Sequence, residues 1–120
     1  MDAQATEIIV HAISYHADRA ADYNERNFGI GLRVPVSDRT KLAVGAYNNS
    51  LYRDSYYIGM SREMLRFSNV TVSIMAGIIT GYQHTIMPVV APEVTLWSGN
   101  VGVSIMALPS VAGLSLKYRW

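Results

Sequence analysis

Histidine is the side chain best suited to moving protons near neutral pH, and the chain has three. His11 and His16 fall on one predicted strand, on opposite faces if that strand is regular. His84 falls in a predicted turn. No His-x-His or Glu-x-x-His spacing joins them, so no metal site is expected. Taken alone, His16 reads as a hydrogen-bonding residue at the rim of the fold. Asn49 and Ser50 read as turn residues, because short polar side chains bond their own backbone. A serine and a histidine make no triad until geometry joins them. Cysteine is absent, which excludes disulfides, thiolate catalysis and cysteine-held metal clusters. Arg33, Glu93, Lys117 and Arg119 share one face of their strands and are expected to pair as interior ions, because unpaired buried charge is costly. Pro88, Pro92 and Pro109 interrupt strand patterns. Pro92, with strand on both sides, lacks a ladder donor and predicts a weak point in the wall.

The elements that must position these residues are short. Breaks near 22–24, 37–39, 51–53, 66–69, 82–84, 98–100 and 108–110 leave runs of strand length. Strands are predicted over 6–17, 28–36, 40–50, 54–65, 69–82, 87–97, 101–108 and 112–120. In the last, Leu114, Leu116, Tyr118 and Trp120 alternate with Gly113, Ser115, Lys117 and Arg119. Val70, Val72, Ile74, Ala76 and Ile78 do the same against Thr71, Ser73, Met75 and Gly77. The fold expected is a single all-β domain over 1–120, an eight-stranded antiparallel up-and-down barrel.

Composition decides which face points inward. Charged residues are 16% of the chain, against roughly 25% in soluble domains, and 50% are hydrophobic. The polar face is rich in glycine (Gly29, Gly31, Gly45, Gly59, Gly77, Gly102), too sparsely charged to coat a domain in water. Small residues suit a narrow barrel lumen. The apolar face is therefore assigned to lipid and the polar face to the lumen, as in outer-membrane barrels. Tyrosines and tryptophans near strand ends fit interfacial belts. A net charge of +1 leaves no footprint for nucleic acid. No signal peptide is recognised in the sequence, so an exported protein would have lost its leader.

Four motifs in order give a family resemblance. Ile13-Ser14-Tyr15-His16-Ala17, Tyr23-Asn24-Glu25-Arg26 with Phe28-Gly29-Ile30-Gly31, Ala46-Tyr47-Asn48-Asn49-Ser50, and Pro88-Val89-Val90-Ala91-Pro92 with Pro109 resemble the outer-membrane lipid A palmitoyltransferases of the PagP type. The resemblance spans about residues 12 to 120. It implies transfer of an acyl chain from a phospholipid to lipid A, without metal or organic cofactor, by a monomer in the outer membrane. His16 and Ser50 then match the family's essential histidine and serine. Asn49 stands where the family has aspartate, so an amide replaces the carboxylate that would orient His16; Asp54 is a nearby substitute. Pro88, Pro92 and Pro109 match prolines that flank lipid-admitting gaps, and His11 replaces another such proline. Ser61, two residues beyond Gly59, stands at the family's acyl-chain ruler and is expected to shorten the chain accepted. The family's N-terminal helix has no counterpart before the first strand.

The enzyme reading makes His16 a general base on the lipid A hydroxyl, with Ser50 and Asn49 as polar contacts. The alternative is a non-catalytic outer-membrane scaffold with a packed polar lumen. A third reading is a soluble barrel that binds a lipid.

Overall fold

The alternation closes on itself. In the computed structural model, which describes residues 5–16, 25–49, 54–81, 86–108 and 111–120, eight antiparallel strands pair in sequence order. They are β1 (Glu7–His16), β2 (Arg26–Pro35), β3 (Thr40–Asn48), β4 (Asp54–Phe67), β5 (Val70–Ile79), β6 (Met87–Ser98), β7 (Val101–Leu108) and β8 (Val111–Arg119). β1 closes the barrel on β8, and Thr6 and Trp120 exchange backbone hydrogen bonds at 3.1 and 3.0 Å. The predicted strands agree, with ends shifted by a few residues. β2 starts earlier, and β5 ends at Ile79 rather than at 82.

One rim carries the start of β1, the end of β8 and the three short turns 36–39, 68–69 and 99–100; the longer connections β1–β2, β3–β4 and β5–β6 join strand ends at the opposite rim, as does the two-residue step from β7 to β8. Ser68 takes a positive φ of 52°, a region that costs an L-residue free energy, and Gly99 takes 59° without that cost. β1 is not regular. A bulge between His11 and Ile13 interrupts its alternation, so the parity argument relating His11 to His16 does not carry across it. A second bulge lies between Glu63 and Leu65 on β4.

Polarity is inverted relative to a water-soluble protein. Buried side chains include Glu7, Arg33, Lys41, Glu93, Lys117, Thr95 and Ser104. Exposed ones include Val10, Ile30, Ile58, Val90, Val103, Ile105 and Leu116. Tyr15, Phe28 and Tyr56 lie outward near the rim of the long connections; Phe67, Tyr118 and Trp120 lie outward near the other. Tyr47 and Tyr57 do not join a belt, since both rings meet His11 on the lumen side. A side chain at Gly45 would meet the Tyr57 ring 2.5 Å away, so glycine there makes room for an aromatic that fills the lumen.

Candidate functional site

Lumen-facing positions of five strands put their charges in one cluster. Glu93 on β6 accepts from Arg33 Nη1 and Nη2, at 2.5 and 3.0 Å, and from Lys117 Nζ at 2.7 Å. Lys117 also donates to Thr95 Oγ1 at 3.1 Å and lies 3.6 Å from Glu7 Oε1. Lys41 donates to Glu7 Oε2 at 2.6 Å. The expected interior pairing is therefore present for Arg33, Glu93 and Lys117 but not, among the described residues, for Arg119, and it has two members that the sequence reading did not single out, Glu7 and Lys41. Both alternate with apolar neighbours, Ile8 and Leu42, which was the available signal. Arg119 sits apart from the cluster, its guanidinium 3.9 Å over the Trp97 ring and donating to the Gly99 carbonyl at 2.7 Å.

The Arg33 layer divides the lumen. Toward the short-turn rim lies a polar cleft of about 30 Å³, lined by Glu7, Lys41, Ser61 and Thr71 among others. Toward the long connections lies a cavity of about 140 Å³, whose wall includes Met75, Ile79, Val89, Met106 and Leu108. Its polar edge is His11, held by Tyr57 Oη at 2.7 Å and Ser115 Oγ at 3.0 Å, together with Ser14 and Asn27, which are hydrogen-bonded to each other. Arg33 lines both spaces.

The residues assigned by motif fall in several places. Asn49 is fully buried, and its amide nitrogen donates to Ser55 Oγ and to the Gly81 carbonyl, both at 2.8 Å. Ser55 in turn donates to the Thr80 carbonyl at 2.6 Å. Asn49 thus ties the end of β3 to the start of β4 and the segment after β5. Ser50, Pro109 and the side chain of His16 lie outside the described residues, so their relation to Asn49 is not described. Ser61 lies on the cleft side of the Arg33 layer, with Arg33 Nη1 3.4 Å from its hydroxyl, and does not line the apolar cavity. Gly59 faces Gly77 on β5, where a Cβ would meet the Gly77 Cα at 2.8 Å. Among the described residues no group of acidic or histidine side chains could hold a metal ion.

Pro88 and Pro92 point outward on β6. The β5 ladder runs unbroken past both, through Ile78 and Ile74, so their missing donors fall on the β7 side. There the pairing begins only at Glu93↔Met106, one residue beyond Pro92. Val89, Met106 and Leu108, beside this unpaired stretch, belong to the wall of the apolar cavity.

A closed eight-stranded antiparallel barrel with a charged, hydrogen-bonded lumen and an apolar exterior is the class that this geometry defines. The chain is similar to a solved structure described as "De novo design of transmembrane beta-barrels", with a TM-score of 0.73 and 16% identity, over 98% of this chain and 96% of that one. At that identity the likeness concerns the fold. No family model and no curated protein matches the chain. The resemblance to the palmitoyltransferases therefore rests on its four motifs alone.

Proposed function

We propose that the chain is a bilayer-spanning, non-catalytic barrel, a monomeric scaffold of the outer-membrane type whose lumen is plugged by its own ion pairs. The inverted polarity carries this reading: charged side chains fill the interior while large apolar ones stand outside. Closure gives every strand a paired neighbour on each side, which is what a bilayer demands of strands, although the stretch of β6 before Glu93 has no β7 partner. The similar structure's description as a transmembrane barrel points the same way. The Arg33–Glu93–Lys117 layer lies between the polar cleft and the apolar cavity, and no pore is assigned.

One observation favours a second reading, acyl transfer from phospholipid to lipid A. The unpaired stretch between β6 and β7 adjoins an apolar cavity, as a lipid-admitting wall would require. Two observations weigh against it. A volume of about 140 Å³ is close to the ~150 Å³ of an apolar cavity that takes benzene, well short of a palmitoyl chain. The Asn49 amide is also already engaged by Ser55 and Gly81.

The test is acyl transfer by detergent-refolded protein, with labelled phosphatidylcholine as donor and lipid A as acceptor. The scaffold reading expects neither transfer nor hydrolysis from a folded barrel. Labelled lipid A that disappears in His16→Ala would replace it with the enzyme reading.

A further inference from the structure

The outward face carries a single charge away from strand starts among the described residues, Arg62. It follows Ile58 and Met60 along β4 and precedes Leu65 and Phe67. Its cross-strand neighbours are Thr40 and Ile74, and its Nη1 donates to Thr40 Oγ1 at 3.0 Å. Thr40 is the first residue of β3, which places Arg62 at the short-turn rim. There a guanidinium can reach headgroups while its stem stays on apolar surface.

The β2–β3 turn meets Arg62 at this corner. The Arg39 carbonyl accepts from the Glu63 N–H at 2.8 Å, which fixes the turn against β4. Ser37, Asp38, Arg39 and Arg62 line an open hollow of about 460 Å³. Asp38 and Arg39 are exposed, and neither side chain makes a hydrogen bond or ion pair among the described residues. Two arginines and one aspartate therefore line a hollow beside the apolar exterior, Arg39 also reaching the wall of the polar cleft.

We propose that this corner is a headgroup site for a phospholipid bearing phosphoethanolamine, with Arg39 and Arg62 donating to its phosphate and Asp38 accepting from its primary ammonium. The proposal rests on the bilayer reading. Guanidinium forks match phosphate oxygens, and the charge pattern matches a zwitterion. A choline headgroup has no N–H to give Asp38. A glycerol headgroup has no cation at all, and leaves Asp38 facing an anion. The outward Leu42 and Met60, next along the same two strands, offer apolar surface to the acyl chains.

The experiment is native mass spectrometry of the refolded barrel in micelles doped equally with dioleoyl phosphatidylethanolamine, phosphatidylglycerol and phosphatidylcholine. Wild type should retain the ethanolamine lipid about three- to fivefold over the others, the scale of a solvent-exposed ion pair. Asp38→Asn should remove that preference over phosphatidylglycerol. The double variant Arg39→Gln/Arg62→Gln should lose all three lipids. Soluble phosphoethanolamine should leave no adduct, since it brings the same charges without the chains. All three changes lie at exposed positions, and heat-dependent electrophoretic mobility checks that each barrel is folded. A detergent-requiring wild type without preference overturns this proposal alone, as does an Asp38→Asn variant that keeps the preference or soluble phosphoethanolamine that binds equally. A barrel that stays monodisperse without detergent overturns the bilayer reading and this site with it.

Discussion

Glu93 stands between two buried cations, so the damage from each substitution depends on what it leaves behind. Glu93→Gln leaves Arg33 without its carboxylate and Lys117 with only the longer contact to Glu7, and is expected to cost about 3–5 kcal/mol. Arg33→Met leaves Glu93 its Lys117 partner and should cost clearly less. Urea unfolding in detergent micelles gives both values, and equal costs would mean that the cluster is not wired as described. Gly45→Ala drives a methyl into the Tyr57 ring and should destabilise by about 1–3 kcal/mol. Paired with Tyr57→Ala, its cost should largely vanish; additive costs would remove the contact from the account. Arg33, Glu93 and Lys117 were legible in the sequence because strand alternation puts them on one face and composition turned that face inward. Their partners were not, since Arg33 and Glu93 meet across a closed lumen 60 residues apart. Glu7 and Lys41 escaped notice because a charge at a strand start reads equally well as part of a turn.

The strands themselves were legible, as period-two alternation survives wherever one face is packed. The bulges were not. The extra residue at each, Ala12 or Met64, suits either face of its strand, so the pattern gives no sign of the slip. The weak point at Pro92 was readable, because a missing donor is a property of the residue. Its extent was not, since that depends on where β7 stops. Pro92→Val restores an N–H on the β7 side and should add about 1 kcal/mol of stability by extending the ladder toward Ala107. An unchanged unfolding midpoint would assign the gap to the shortness of β7 instead. Ser68→Gly relieves the positive φ in the β4–β5 turn and should stabilise by about 0.5–1 kcal/mol, read in the same assay.

Across the whole molecule, the face assignment came from composition rather than from periodicity. Alternation is the same in a barrel turned either way; the low charge and the glycine-rich polar face broke the tie. The catalytic reading had no such global support, for motifs report ancestry of segments and not the assembly of His16, Ser50 and Asn49. Placing Arg on the outward face, as in Ile30→Arg, should cost about 2–4 kcal/mol in a bilayer if it reaches mid-depth. In a water-facing wall the same exposed change would cost less than about 0.5 kcal/mol. The two tryptophans allow a direct test, because Trp97 is 4% exposed in the lumen and Trp120 is 60% exposed outside. Trp97→Phe and Trp120→Phe each leave one reporter, to be refolded into vesicles with brominated acyl chains. The account predicts that Trp120 is quenched and Trp97 is not. Quenching of Trp97 with Trp120 spared, or of neither, would contradict it.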